Sequence, residues 1–165
     1  MVELCVLLAT AALLAALSIP MLNTSMQSMQ LLSDSRSISS TMTYAKLRAV
    51  SQMTQFRMSF DLDNDEWMLE RWDRENEEWE LEQDINALSR GISSNRVTFK
   101  AESDSSPDGF PTVAATEITF NSRGFPIDGA DIVYLANEEE DYAVSTSLSG
   151  KIQLWRYEDD AWVAR

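Results

Sequence analysis

The sequence predicts an α+β protein in which one long N-terminal helix, membrane-spanning in its first half, packs on an antiparallel β-sheet head. Three observations predict it: a nearly uninterrupted apolar run at the start, apolar side chains at helical spacing after it, and short alternating segments separated by turns beyond residue 57. We therefore divide the chain into a transmembrane helix at 1–22, an amphipathic continuation at 23–57 and an acidic β-rich head at 58–165.

The apolar run from Leu4 to Leu22 contains no charged side chain, and its only hydroxyl side chains are Thr10 and Ser18. About 19 residues extend ~28 Å as a helix, which is close to the hydrocarbon thickness of a bilayer. Glu3 lies at the edge of this run, where an unpartnered carboxylate is costly. Pro20 lies inside it, and we expect it to bend or locally open the helix.

Two ordinary interpretations of this run account for it incompletely. A cleaved secretory signal begins with basic residues, whereas this chain begins with an acid and has no base before Arg36. A simple single-span anchor explains the length of the run but leaves Glu3 without a purpose. Both remain open at this point.

Beyond Pro20 the apolar positions recur at steps of three and four, which is the pattern of one helix face. We expect this methionine-rich stripe to contact the sheet of the head. A polar stretch at 33–41 interrupts the stripe, and we interpret it as the place where the helix leaves the membrane. The stripe consists of Leu22, Met26, Met29, Leu32, Met42, Ala45, Ala49, Met53 and Phe56.

The head reads as a series of short strands joined by turns. Alternation predicts a three-stranded meander over 56–82, and residues 85–100 read as a connection with a turn near Gly91 and a short strand at 96–100. Further strands are predicted at 117–120 and 132–135. A final hairpin pairs 142–148 with 151–157 across Ser149 and Gly150.

Met1-Val2-Glu3-Leu4, the alanine- and leucine-rich run and Ile19-Pro20 resemble the start of mature type IV pilins and type II secretion pseudopilins. In that family the glutamate pairs with the free amino terminus of a neighbouring subunit as a filament grows, and a proline near Pro20 marks a stretch that loosens in the filament. The chain opens two residues short of the family's mature start. It also lacks the preceding glycine at which prepilin peptidase cuts in that family. Either the natural start lies upstream or the sequence was trimmed; if Met1 is the true start, cleavage by prepilin peptidase and N-methylation are not expected.

The sequence of the head points to a particular group within this family. The helix end at 44–51, the tryptophan-containing meander, the segment 118–124 and the last hairpin are together similar to the minor pseudopilin GspH and its pilus relative FimT. Some FimT-type proteins bind DNA through basic C-terminal residues. The acidic stretch at 158–160 departs from that pattern, so this activity is not expected here.

Charge is unevenly distributed along the chain. Residues 1–57 carry 2 acidic and 4 basic side chains, whereas residues 58–165 carry 25 acidic and 9 basic ones, a net charge of −16. Such a head repels phosphate backbones, so we expect no nucleic-acid partner. The chain has no histidine, the commonest general base and metal ligand. Cys5 is the only cysteine, which excludes an intrachain disulfide.

Asp61, Asp63 and Asp65 have the alternation that opens a calcium-binding loop. Glu66 occupies the position of the required glycine, and Trp72 occupies that of the closing bidentate glutamate, which excludes an EF-hand. A looser calcium site at a hairpin tip is the remaining alternative to a solvated turn. No other metal site and no cofactor is predicted.

Two further clusters have two interpretations each. The acids at 138–141 form either a solvated loop or a contact with a basic partner subunit. Trp67, Trp72 and Trp79 are expected to straddle a hairpin and fill the gap between sheet and helix. The alternative is a carbohydrate or protein-contact surface.

We expect no catalysis, and no catalytic residue is assigned. Serine and cysteine have no histidine partner, and the acids cluster in predicted turns, where water keeps them equivalent. The predicted function is a structural subunit, a minor pilin or pseudopilin, in which Glu3, Leu4 and Pro20 belong to the assembly segment. Its partners are other pilin subunits and the bacterial inner membrane, with the head periplasmic or extracellular. A non-polymerising single-span protein with a β-rich binding or sensing domain is the first alternative, and a membrane-tethered hydrolase is the second.

Overall fold

The computed structural model of the chain describes residues 2–89 and 96–165, without the side chains of residues 2, 4–6, 8, 9 and 11–25. The turn expected near Gly91 lies outside the described residues. Helix α1 runs from Val2 to Gln52, which at ~1.5 Å per residue is about 77 Å long. The described strands are β1 (Phe56–Asp61), β2 (Glu66–Asp73), β3 (Glu78–Ala87), β4 (Thr98–Lys100), β5 (Glu117–Phe120), β6 (Asp131–Ala136), β7 (Asp141–Thr146), β8 (Ile152–Glu158) and β9 (Ala161–Ala164).

The helix buries one face from residue 31 onward, where the head begins. Ser35 lies on this buried face, and its hydroxyl donates to the carbonyl oxygen of Leu31 at 2.7 Å, so a polar side chain is satisfied within the helix. The polar stretch at 33–41 is therefore continuous helix that already packs on the head. The buried apolar side chains of this face are Leu31, Ile38, Met42, Ala45 and Ala49.

This face differs from the predicted methionine stripe. Met42 is fully buried, but Met26 and Met29 are 55% and 71% exposed, and Met53 lies beyond the helix end, also exposed. Phe56 is buried, but it is the first residue of β1 rather than the last of the helix. Ala45 and Ala49 of the predicted stripe are fully buried as well, so the predicted and observed faces coincide in the C-terminal part of the helix.

The first sheet has the strand order β3-β2-β1-β5 and is antiparallel throughout. The predicted meander over 56–82 is confirmed, although β3 continues to Ala87 into the region expected to be a connection. Phe56, Met58 and Phe60 alternate with more exposed residues, as a strand with one core-facing side requires.

The second sheet has the order β4-β6-β7-β8-β9 and is also antiparallel. The predicted final hairpin is confirmed as β7 and β8, while β9 was not predicted. Its short sequence at 161–164 pairs with residues 155–158, a partnership that local alternation does not reveal.

The core lies between the helix and the two sheets. Leu135 and Val144 of the second sheet join Phe56, Met58 and Ile118 of the first in one buried cluster. On the opposite face of the second sheet, Ile132 and Tyr134 form a smaller cluster with Ala114, which lies in the loop between β4 and β5. The helix thus packs against both sheets, and the β4–β5 loop covers the face of the second sheet that points away from the helix.

Candidate assembly surface

The N-terminal part of α1 contains the predicted assembly residues. Glu3 lies in the first helical turn and is exposed, and Leu7 is 69% exposed. The side chains of Leu4 and Pro20 lie outside the described part of the structure, but helical backbone continues through both positions. Thr10 donates its hydroxyl hydrogen to the carbonyl oxygen of Leu7 at 3.0 Å, which satisfies the hydroxyl within the helix. Within the residues searched, which are the described ones, no helix meets the length and hydropathy required of a membrane span.

A polar contact fixes the helix where it enters the head. The Asp34 carboxylate accepts hydrogen bonds from the Ser89 backbone N–H at 2.8 Å and from the Ser89 hydroxyl at 2.9 Å. Burial raises the pKa of Asp34, and the two Ser89 hydrogen bonds oppose that rise. Asp34 therefore joins the helix to the segment after β3, a role that the sequence analysis missed. The feature of the sequence that could have indicated this role is an acidic residue within the predicted helix.

A second polar contact fixes the C-terminal part of the helix. Lys46 donates from Nζ to the carbonyl oxygen of Gly150 at 2.8 Å, so the predicted β7–β8 turn contacts the helix. Arg48 forms an ion pair with Glu82 of β3. Polar contacts thus attach the head to the helix at three helix positions, Asp34, Lys46 and Arg48.

The part of the helix surface that does not contact the head carries exposed apolar side chains. Leu47 is 62% exposed, and Tyr44 and Val50 are 38% and 45% exposed. With Met26 and Met29 they leave apolar area in water along the length of the helix. Exposed apolar area of this kind is typical of surfaces that contact another protein or a membrane.

The proposed calcium residues do not come together. The Asp61 carboxylate caps its own turn by accepting hydrogen bonds from Asn64 Nδ2 at 2.8 Å and from the backbone N–H groups of Asp63 and Asn64. The side chain of Asn64, followed by these N–H groups, lowers the pKa of Asp61. Asp65 is buried and accepts instead from the backbone N–H of Phe99 at 2.9 Å and from Arg96 at 2.8 Å. Across residues 2–89 and 96–165, no group of three acidic or cysteine side chains is arranged to hold a metal ion.

The three tryptophans have different environments, which corrects the expectation that all fill the gap between sheet and helix. Trp67 is buried in the core. Trp72 and Trp79 are directly opposite each other on β2 and β3 and pack edge to face at 5.3 Å between ring centroids. The Arg57 guanidinium lies 4.3 Å from the Trp79 ring. Arg57 alternates with the buried Phe56 and Met58, so this pair packs on the side of the first sheet that faces away from the helix.

The acids at 138–141 are divided between two cations. Glu140 accepts from Arg156 at 2.8 Å, and Lys100 donates to both oxygens of Asp141 at 2.7 and 2.8 Å. Glu138 and Glu139 are exposed. This loop is therefore partly tied to its own head rather than wholly solvated.

One cleft of the head, of about 350 Å³, includes three acids, Glu102, Asp104 and Asp141, beside Lys100. Asp141 is paired with Lys100, and Glu102 and Asp104 are exposed to water. A carboxyl acid catalyst needs a desolvated environment that separates its pKa from that of its partner. None of these three carboxylates is buried, so the cleft gives the hydrolase alternative no support.

Comparison with known proteins identifies the fold. No protein-family model matches the sequence, and no curated protein matches it. Among solved structures, the minor pseudopilin EpsH from the type II secretion system of Vibrio cholerae is similar with a TM-score of 0.57 at 12% identity, over 79% of this chain and 99% of its own. The type IV minor pilin FimU of Pseudomonas aeruginosa strain PAO1 gives 0.55 at 18% identity, over 82% and 92%. A second EpsH crystal structure gives 0.54 at 12% identity, over 76% and 92%.

These structures agree with the chain in the arrangement described above, one N-terminal helix packed on antiparallel sheets. At these identities the likeness concerns the fold. The chain therefore has a pilin-like fold of the GspH/FimT type, the fold of minor pseudopilins and minor pilins.

Proposed function

We propose that this chain is a structural subunit, a minor pilin or pseudopilin, that assembles into a filament through its N-terminal helix. The observation that carries the proposal is a pilin-like head in which Leu31 is the first buried residue of the helix among the described side chains, while the helix itself begins at Val2. Nearly thirty residues of largely apolar sequence thus precede the first described contact with the head core. Such a segment needs lipid or other apolar helices around it.

In this proposal the segment Leu4–Leu22 is held in the bacterial inner membrane before assembly and becomes part of the filament core afterwards. The head then lies in the periplasm or outside the cell. Glu3 pairs with the amino terminus of a neighbouring subunit, and its exposure in the first turn of α1 supports such access. Prepilin peptidase and N-methylation belong to the same proposal. The similar solved structures are those of a minor pseudopilin and a minor pilin, which favours a structural role over a catalytic one.

The decisive residue is Glu3. We expect Glu3→Ala and Glu3→Gln to leave membrane insertion intact but to lower incorporation into filaments by about tenfold or more, since a charge pair in an apolar environment is lost. The measurement compares the amount of each variant in sheared filaments with the amount in membranes. Glu75→Ala, which removes an exposed acid in the β2–β3 turn, is the matched control.

Normal incorporation of both Glu3 variants would reject the charge-pairing mechanism. If wild-type chain is found only in membranes while the other subunits form filaments, the non-polymerising alternative, a single-span protein with a β-rich sensing domain, replaces the proposal. The sequence upstream of Met1 gives an independent result. A short basic leader supports the subunit, and a long cytoplasmic domain supports the alternative.

A further inference from the structure

A second cleft opens where the helix enters the head, between α1 and the second sheet. Its volume is about 340 Å³. We call it the arginine cleft, because three guanidinium groups line it in a chain whose net charge is −14. Its lining residues are Leu32, Arg36, Tyr142, Leu154, Arg156 and Arg165.

Two of the three arginines already share carboxylates of the head. Arg156 pairs with Glu140 at 2.8 Å and with Glu158 at 2.6 Å, and Arg165 also pairs with Glu158. Arg36 is exposed, and no ion pair to it is found in the described part of the chain. The cleft thus has one guanidinium group more than the two carboxylates, Glu140 and Glu158, that pair with its arginines.

The cleft also has an unused donor. The Nε–H of Arg156 is buried and has no hydrogen-bond acceptor within residues 2–89 and 96–165. A buried donor of this kind is costly unless an acceptor reaches it. An incoming anion would supply one.

Part of the cleft wall is apolar. Leu32 and Leu154 pack against the main core, and the Tyr142 ring is buried with the Arg156 guanidinium 5.9 Å from its centroid. Burial raises the pKa of the Tyr142 phenol, so the ring is neutral at physiological pH. A ligand that fits this cleft therefore has one negative charge on a short apolar stem.

We propose that the arginine cleft binds a glutamate or aspartate side chain presented by a neighbouring subunit. One carboxylate matches the Arg36 guanidinium, which has no ion pair in the described part of the chain, and its methylene stem matches the apolar part of the wall. The −16 charge of residues 58–165 opposes a polyanion such as nucleic acid. The inference rests on the proposed function only where it names the partner as a filament subunit.

The test uses the full chain in detergent micelles and two probes, a glutamate-containing hexapeptide that is acetylated and amidated at its ends, and the same blocked peptide with glutamine. The readout is the nitrogen–proton spectrum of the arginine Nε groups during titration. We expect saturable shifts of the Arg36 and Arg156 signals with the acidic peptide only. Arg36→Gln should weaken binding about tenfold, which equals ~1.4 kcal/mol. Arg123→Gln, which removes another exposed arginine, should leave binding unchanged.

Three results would overturn the inference: no saturable shift with the acidic peptide, equal weakening by Arg36→Gln and Arg123→Gln, or tighter binding of a single-stranded oligonucleotide than of the peptide. Circular dichroism of each variant verifies that folding is unchanged. Because the titration involves no filament, its failure leaves the Glu3 proposal standing. Failure of the Glu3 experiment likewise leaves the carboxylate site standing, with a partner other than a filament subunit.

Discussion

Gly150 shows how one residue fixes the contact between the helix and the last hairpin. It lies at φ +72° in the β7–β8 turn, and a Cβ atom there would stand 2.5 Å from the carbonyl oxygen of Gly124. Its own carbonyl accepts the hydrogen bond from Lys46. The absence of a side chain lets two turns and the helix meet at one point.

Gly150→Ala should therefore destabilise the protein by roughly 2–3 kcal/mol, since a close contact adds to the strain of positive φ. Gly109→Ala is the control: φ is +86° there, but nothing lies within 4 Å of the added Cβ atom. We expect this control to cost about 1 kcal/mol. Urea unfolding of the full chain in detergent measures both. Equal losses would mean that the contact with Gly124 contributes nothing.

At this scale the sequence indicated the turn at Ser149 and Gly150 but not its contact with the helix. It likewise placed Asp65 in a turn with Asp61 and Asp63, whereas Asp65 reaches Arg96 and the backbone of Phe99. The Asp65 carboxylate is bound by partners that lie thirty or more residues away in the sequence. Local spacing cannot reveal them.

Helix α1 is the element against which both sheets pack. Its buried face passes through Met42, which is fully buried, whereas Met29 on the same helix is 71% exposed. The pattern of steps of three and four identified a helix correctly. It placed Met42, Ala45 and Ala49 correctly on the buried face. It wrongly added Met26 and Met29 to that face, because apolar residues lie on more than one side of this helix.

Met42→Ala should cost about 2–5 kcal/mol, since it removes buried side-chain volume between the helix and the sheets. Met29→Ala should change the free energy of unfolding by less than about 0.5 kcal/mol. The two variants make the same chemical change on one helix and differ in burial. Denaturant unfolding followed by tryptophan fluorescence compares them. A similar loss in both would contradict the assigned buried face.

The whole molecule carries an excess of negative charge that its own ion pairs do not balance, because the head has 25 acidic and only 9 basic side chains. Self-repulsion of this kind opposes the compact state. It acts over the entire head and is screened by any salt. A specific metal site would respond to one ion alone.

Raising sodium chloride from about 10 mM to about 150 mM shortens the screening length from about 30 Å to about 8 Å and should raise the urea midpoint. Calcium chloride at equal ionic strength should raise it no further, because Asp61 and Asp65 have other partners. An additional increase with calcium that Asp61→Asn removes would instead support the calcium hypothesis for Asp61, Asp63 and Asp65.

The sequence by itself determined the long helix, the early meander, the final hairpin and the acidity of the head. These features depend on periodicity, turn residues and composition, all of which are local. The resemblance at residues 1–20 and the strand order also indicated the pilin-like fold. Local information sufficed because each of these elements forms between neighbours in the chain.

Only the tertiary structure decided the division into two sheets, the β9 pairing, the Asp34–Ser89 contact and the gathering of Arg36, Arg156 and Arg165 in one cleft. Residues 36 and 165 come from opposite ends of the chain. Their approach is set by how the helix packs against the second sheet, and no short window of sequence contains that packing.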